Sequence, residues 1–104
     1  MANSSEMIEF MVDINLHDAR SEAFVQLIPR QRAVVNNMMN EGKIVHYALS
    51  LDRSKLWIIV IARDEKQVME YLSAFPLIQY MDCEIAPLLF VNSAQRTFSQ
   101  ISLN

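Results

Sequence analysis

Residues 75–82 read Phe-Pro-Leu-Ile-Gln-Tyr-Met-Asp, and this stretch predicts the junction between a helix and a strand. The amphipathic run before it stops at Pro76, because proline has no N–H to donate and its ring clashes with the preceding turn. An apolar strand, predicted over residues 82–90, follows it. The junction is therefore expected to bring three polar side chains onto this strand: Tyr80, Asp82 and Glu84.

The hydrophobic periodicity of the rest of the chain predicts a regular order of elements. Residues 8–16 alternate with the period of two that is typical of a half-buried strand, whereas the run after Ser21 has helical spacing and stops at Gly42. The further predicted elements are a strand over 44–51, a strand over 56–62 that is buried on both faces, a helix over 64–75 and the strand over 82–90. This order predicts an α+β fold of the ferredoxin-like type, βαββαβ, with an antiparallel four-stranded sheet and two helices on one face.

Two prolines interrupt the pattern. Pro29 lies within the first helical run, which predicts either a kink or a short first turn followed by a main helix that begins at Pro29. Pro87 lies within the last strand and indicates an edge strand or a bulge, since proline cannot donate to a sheet ladder.

The predicted domain organisation is simple. Residues 1–6 are small and polar and are expected to be a disordered leader, and residues 7–91 form the ferredoxin-like domain. The tail over residues 92–104 is polar but carries a few apolar side chains, so it is expected either to fray or to pack on a partner subunit. Those apolar residues are Phe98, Ile101 and Leu103.

Composition excludes several classes of function. The net charge of −3 and the scattered cations argue against nucleic-acid binding. No apolar run approaches the ~20 residues of a membrane span and no signal peptide is evident, so a cytoplasmic protein with no membrane contact is expected. Cys83 is the only cysteine and Gly42 the only glycine, which argues against a zinc site, a disulfide and a glycine-rich nucleotide loop. No metal or cofactor is therefore expected.

One face of the predicted sheet has no helix to cover it. Alternation along the strands sends Val45, Tyr47 and Leu49 toward the helices together with the apolar side chains of residues 8–14. The opposite face then combines ionisable side chains with one apolar row of the third strand. Its outward residues include Glu9, Met11, Asp13, Asn15, His46, Ala48, Ser50, Asp82 and Glu84. We expect a second copy of the chain to cover this face, which gives a homodimer through facing sheets with a small-molecule cleft between them.

Two patches resemble a known family. The segment Phe75-Pro76-Leu77-Ile78-Gln79-Tyr80-Met81-Asp82-Cys83-Glu84-Ile85 resembles the Pro-Leu-x-x-Tyr-Met-Asp-x-Glu-Val segment of muconolactone isomerases. Glu41-Gly42, followed four residues later by His46, looks like their Glu-Gly-x-x-x-His pattern. By element order the similarity covers roughly residues 7–91.

The resemblance implies the fold of a dimeric α+β barrel and a cofactor-free proton shift in an unsaturated lactone, in the catabolism of aromatic compounds. It also implies small subunits that assemble into higher homo-oligomers. The chain departs from the family pattern after His46, where the family tends to carry Trp and Arg and this chain has Ala48 and Leu49. Arg53 in the next turn is the candidate replacement for the cation that would hold a substrate carboxylate.

A proton shift between two carbons needs a base and a group that stabilises the dienolate intermediate. The candidate catalytic residues are His46, Asp82 and Glu84 as base and Tyr80, or Tyr47, as donor to the oxyanion. The candidate substrate-binding residues are Tyr47, Arg53, Trp57 and Met11. Each also has a structural interpretation: a histidine or tyrosine that only satisfies or packs against neighbours, a charged edge strand, and a tryptophan in the core or an interface.

Two other functions stay open at this point. One is a cofactor-independent monooxygenase or haem-handling protein of the same superfamily, for which Trp57 and His46 would have to line one cavity. The other is a non-catalytic small-molecule binding or assembly module, which the departure after His46 favours.

Overall fold

The computed structural model describes residues 6–94, and within them the predicted fold class is confirmed. One sheet has the strand order β2-β3-β1-β4, every neighbouring pair is antiparallel, and two helices connect the strands in the ferredoxin-like order. The elements are β1 Ile8–Leu16, α1 Glu22–Asn40, β2 Ile44–Leu49, β3 Lys55–Ala62, α2 Glu65–Ser73, a 3₁₀ helix Ile78–Tyr80 and β4 Met81–Pro87. Residues 1–5 of the predicted leader (1–6) and residues 95–104 of the predicted tail (92–104), with Phe98, Ile101 and Leu103, lie outside the described residues. The domain boundaries stay a prediction.

Alternation along the strands creates two different faces. On the helix-covered face, Val12, Ile14, Ile58 and Val60 are completely buried. Their chain neighbours on the other face are only partly covered, and Trp57 remains 38% exposed. We call this second surface the open face. The expectation that β3 is buried on both sides is therefore wrong for the described chain, because no element within residues 6–94 covers the open face.

The two helices begin and end with specific capping interactions. The Ser21 hydroxyl accepts a hydrogen bond from the Phe24 N–H at 3.2 Å at the start of α1, and the Asp64 carboxylate accepts one from the Gln67 N–H at 2.9 Å at the start of α2. Gly42, with φ of +78°, ends α1 in a Schellman motif, in which the N–H groups of Gly42 and Lys43 donate to the last turn. The predicted stop at Gly42 is confirmed.

Pro29 lies inside one continuous α1, so the predicted alternative of a main helix beginning at Pro29 is wrong. Proline removes the N–H that would pair with the carbonyl of Val25. Both residues are on the exposed side of the helix, where that carbonyl can bind water instead. Packing of the opposite side of α1 on the sheet offsets the loss.

Two strand predictions also need correction. Tyr80 belongs to the 3₁₀ helix and not to the last strand, which begins at Met81 and ends at Pro87. In β2 the register shifts between Ile44 and His46, so Val45 is the unpaired residue of a bulge and Ile44 fills the core in its place. The bulge is invisible to simple alternation counting, whereas the edge position predicted from Pro87 is confirmed because β4 borders the sheet.

Candidate functional site

A cavity of about 190 Å³ lies between α1 and the helix-covered face, near the β2–β3 turn. We call it the α1 pocket. Its wall is mostly apolar and includes Leu16, Phe24, Ile28, Leu56, Leu77 and Met81. Polar groups enter it from three elements: Gln31 and Arg32 from α1, Tyr47 from β2 and Arg53 from the turn. An apolar cavity with a few converging polar groups is the usual form of a small-molecule site.

Gln31 is the buried polar residue of this region, at 3% exposure. Its Oε1 accepts a hydrogen bond from the backbone N–H of Leu77 at 3.1 Å, which ties α1 to the junction after Pro76. Its Nε2 donates to the Tyr47 hydroxyl at 3.4 Å, a long contact for a hydrogen bond. Both ends of the amide therefore have partners, and no described buried side-chain polar atom is left without one.

Tyr47 points to the helix-covered side because it pairs with Ile58 in the β2–β3 ladder. Burial raises the pKa of its hydroxyl above the ordinary value, and the hydrogen bond from Gln31 offsets part of that rise. A raised pKa keeps the phenol protonated at neutral pH. Tyr47 therefore offers the pocket a neutral hydrogen-bond donor.

The turn that carries Arg53 is held by its own side chains. The Asp52 carboxylate accepts hydrogen bonds from the Ser54 hydroxyl at 2.7 Å, the Ser54 N–H at 3.0 Å and the Ser50 hydroxyl at 2.8 Å. These bonds, those from Ser54 first, lower the pKa of Asp52 to about 2. Arg53 adopts a φ of +67°, an uncommon conformation for a residue with a Cβ, so the turn fixes its backbone at the edge of the pocket.

Arg32 and Arg53 give the pocket a positive opening. Both are exposed, and both line the cavity from different elements. A planar guanidinium can bind a carboxylate through two parallel hydrogen bonds. This arrangement suits a ligand with an apolar body and one carboxylate.

The open face has a different character. Asp13 lies at its centre, between Trp57 on β3 and Glu84 on β4, and Lys55 Nζ contacts Asp13 Oδ1 at 2.6 Å. The same ammonium lies 6.0 Å from the centre of the Trp57 ring. The next row, toward the other end, is mostly apolar: His46, Ile59, Met11 and Ala86. Charges and apolar side chains thus share one surface, as the alternation of the strands predicts.

The structure divides the residues predicted from the sequence between these two places. Tyr47 and Arg53 line the α1 pocket, and Tyr80 packs its ring edge against Phe24 at a centroid distance of 5.2 Å. The others lie on the open face: Met11, His46, Trp57, Asp82 and Glu84. His46 and Asp82 occupy opposite edge strands, three strand spacings or roughly 14 Å apart across the sheet, and they also lie in different rows, since His46 aligns with Ala86 on β4. One chain does not bring them into a single site.

Asp82 lies beside a histidine that is not among the predicted site residues. His17 Nε2 lies 3.8 Å from Asp82 Oδ1, just beyond the end of β1. The residues before them, Leu16 and Met81, pair with each other and line the α1 pocket on the helix-covered face. The Asp82 side chain, one residue later, is on the open face, so the pair lies at the end of the sheet on the side away from the pocket.

Gln31 and Arg32 were also missed by the sequence reasoning. A signal for Gln31 exists, because it falls at helical spacing between the buried residues Phe24 and Val35, where an apolar side chain would be expected. A polar residue at such a position indicates a specific hydrogen-bond partner. Nothing in the local sequence distinguishes Arg32 from Arg30, the other exposed cation of α1.

Comparison with known proteins decides the family. The sequence model of the family described as muconolactone delta-isomerase matches residues 8–93. The chain belongs to the muconolactone delta-isomerase family. The match confirms the resemblance and, with the sheet order, the fold of the dimeric α+β barrel proteins. No curated protein matches the chain.

Residues 6–94 contain neither a metal-binding cluster of side chains nor a membrane-spanning helix. No group of three or more His, Cys, Asp or Glu side chains is placed to hold a metal ion there. Within the same range, neither helix has the length and apolar character needed to cross a membrane.

Proposed function

We propose that the protein catalyses a cofactor-free proton shift in a small unsaturated lactone, or a related carbonyl compound, that carries a carboxylate. The observation that carries this proposal is the α1 pocket, in which an apolar wall meets one neutral phenol and two guanidinium groups. Membership of the muconolactone delta-isomerase family supports the reaction class. The family also supports a place in the cytoplasmic breakdown of aromatic compounds.

The reaction needs no oxidant and no second substrate. A base removes a proton from a carbon next to the conjugated system, and the C–H electron pair moves into that system to give a dienolate. The negative charge collects on the carbonyl oxygen, where a hydrogen-bond donor stabilises it. The base then returns the proton to a different carbon, so the product is an isomer of the substrate.

Arg53 and Arg32 are proposed to hold the substrate carboxylate at the opening of the pocket. The family tends to carry an Arg shortly after the strand histidine, and this chain has Leu49 there. Arg53 enters from the following turn, whose Asp52-centred hydrogen bonds set its position. Two guanidinium groups from separate elements can replace the missing one.

Asp82 is proposed as the proton carrier, with His17 as its partner. Asp82 belongs to the Tyr80-Met81-Asp82 segment that resembles the family motif, and membership of the family supports this choice. Its side chain is on the open face, so the proposed transfer requires the substrate to reach it around the end of the sheet, where Leu16 and Met81 line the α1 pocket. His46 lies on the opposite edge strand, and Glu84 lies two residues farther along β4. They are the natural controls.

The open face is proposed to pair with the same face of a second copy. Met11, Trp57, Ile59 and Ile61 form a partly exposed apolar area there, next to the Asp13–Lys55 ion pair. An apolar area bordered by charged groups is typical of a protein interface. A homodimer, which can assemble further, is the expected state.

The reaction is tested with muconolactone in D₂O, where NMR detects both the isomer and any deuterium taken up at carbon. We expect Asp82→Asn to lower kcat by about a hundredfold, the size typical of removing a general base. Arg53→Ala is expected to raise KM, whereas His46→Ala and Glu84→Gln should stay close to the wild type. Equal turnover by the wild type and Asp82→Asn would remove the assigned role, and an inactive, non-exchanging wild type would favour the non-catalytic binding function.

The haem-handling alternative has less support. His46 and Trp57 share the open face, but neither lines the α1 pocket. A haem absorption band in the purified protein is the result that would favour it.

A further inference from the structure

We propose that Gln31 is a positioning residue, which turns the hydroxyl proton of Tyr47 into the α1 pocket so that Tyr47 donates to the carbonyl oxygen of the bound ligand. This inference rests on the proposed use of the α1 pocket as the substrate site. It assigns the carbonyl-binding group and the residue that orients it.

The orientation of the Gln31 amide follows from its partners. A primary amide has one accepting end and one donating end. The accepting end is occupied by the Leu77 N–H at 3.1 Å. Turning the amide around would place its NH₂ group against that N–H and leave a buried donor without an acceptor. The NH₂ group therefore faces Tyr47, as observed.

The direction of the Tyr47 hydroxyl then follows from that of the amide. A phenol oxygen that faces an N–H donor accepts from it, so the single phenol proton must point elsewhere. Among residues 6–94, no hydrogen bond takes up this proton, and Tyr47 lines the pocket. The proton is therefore free for a ligand, and burial of the hydroxyl favours its retention at neutral pH.

The consequence is selectivity for ligands with a carbonyl oxygen at this position. In a proton shift the negative charge grows on that same oxygen, and a fixed donor gains strength as the charge develops. Gln31, which is 3% exposed, takes this role through its contact with Tyr47, since its Oε1 accepts from the Leu77 N–H and its Nε2 donates one hydrogen to the Tyr47 hydroxyl.

The first test compares two probes that differ only by a carbonyl group: butenolide, the unsaturated five-membered lactone, and dihydrofuran, the same ring without the carbonyl. NMR titration of the full-length protein should show that butenolide binds more tightly by about fivefold, the size of one neutral hydrogen bond. In Tyr47→Phe this preference should disappear while dihydrofuran binds as before. An unchanged preference in Tyr47→Phe, or failure of the wild type to bind either probe, would overturn the proposal.

The second test uses Gln31→Glu, which keeps the shape of the side chain. When the new carboxyl group is protonated it accepts from Leu77 and donates to Tyr47, as the amide does, so the butenolide preference should persist at low pH. When it is ionised it accepts the Tyr47 proton, so the preference should fall as the pH rises. The other groups that line the pocket and carry charge or titrate are Arg32, Arg53 and Tyr47, and burial raises the pKa of the Tyr47 hydroxyl.

The butenolide preference of the wild type should not depend on pH. If Gln31 had only a structural role, the preference of Gln31→Glu would not depend on pH either. A preference in Gln31→Glu that is the same at both ends of the pH range would contradict the positioning role. If this variant does not fold, Gln31→Met gives the deciding result: loss of the orienting amide should lower the butenolide preference at every pH, and an unchanged preference overturns the proposal. Because binding of the probes is measured separately from turnover, a protein that keeps the preference but does not isomerise muconolactone contradicts only the proposed reaction.

Discussion

The two faces of the sheet are built from the same strands, yet only one of them is complete within a single chain. On the helix-covered face Ile58 is fully buried, and on the open face Trp57, the residue before it, is 38% exposed. The covered face has a buried amide with both ends satisfied, while the open face mixes apolar side chains with the Asp13–Lys55 ion pair. Side-chain alternation along a strand therefore places the core and a partly exposed surface of mixed character one residue apart.

The largest effect on stability should come from shortening a buried side chain on the helix-covered face. Ile58→Ala is expected to lower the free energy of unfolding by about 3 kcal/mol, because it removes buried methyl groups and leaves a cavity in the central strand. Urea unfolding, followed by circular dichroism at low protein concentration, measures this.

Ile59→Ala is the matched control, since it makes the same change one residue along β3 on the partly covered open face. We expect a loss of about 1 kcal/mol or less in dilute solution, because less apolar surface is removed from contact. Equal losses of unfolding free energy for the two variants at every protein concentration would contradict the difference in burial between the two faces.

The fold was predictable because its signals are local and redundant. Alternation in β1, the stop at Gly42 and the break at Pro76 each define an element without reference to the others. The errors occur where tertiary contacts decide the outcome. Packing of α1 carries the helix through Pro29, and the bulge at Val45 changes which residue of β2 enters the core. Neither the packing of α1 nor the bulge in β2 has a signal in the local sequence.

The second-largest effect should be a weaker homodimer, caused by a substitution on the open face. Met11→Lys is expected to raise the dissociation constant of a homodimer about thirtyfold, equivalent to about 2 kcal/mol, because it buries a cation without a partner between the facing sheets. Sedimentation over a range of concentrations measures the change, and circular dichroism should show that the monomer keeps its fold.

Met69→Lys makes the same substitution on α2, where the methionine is 56% exposed. It should leave the dissociation constant unchanged. A wild type that sediments as a monomer at every concentration, or equal behaviour of the two variants, would contradict pairing through the open face.

The candidate site was only partly predictable because its residues come from distant elements. Tyr47 and Arg53 were identified from their chemistry, but the role of Gln31 depends on a contact with Leu77 that the fold alone creates. His46 and Asp82, two of the candidate bases, lie on edge strands with two strands between them, a separation that residue type alone does not reveal. Residue type identified the chemistry, and only topology determined which groups share a cavity.

The smallest effect should be a pH dependence of stability that comes from Asp52, in the turn at the pocket opening. Hydrogen bonds, first from Ser54 and then from Ser50, hold the pKa of Asp52 at about 2, whereas an aspartate in an unfolded chain titrates near about 3.9. The unfolded state therefore takes up the proton first as the pH falls. The stability that ionised Asp52 contributes is fully present above about pH 4 and is lost as the pH falls through about 2.

Asp52→Asn lacks this ionisation, so the difference in unfolding free energy between the wild type and the variant should be constant near neutral pH and shrink below about pH 4. Urea unfolding at several pH values measures it. Ser54→Ala removes the hydroxyl that lowers the pKa of Asp52 most, while the Ser54 N–H and the Ser50 hydroxyl still donate, so the pH-dependent difference should become smaller. The dimer dissociation constant of both variants should stay at the wild-type value because the turn lies at the pocket end of the molecule. A difference that grows toward low pH would contradict the assignment, and a weakened dimer would show that the turn also supports the open face.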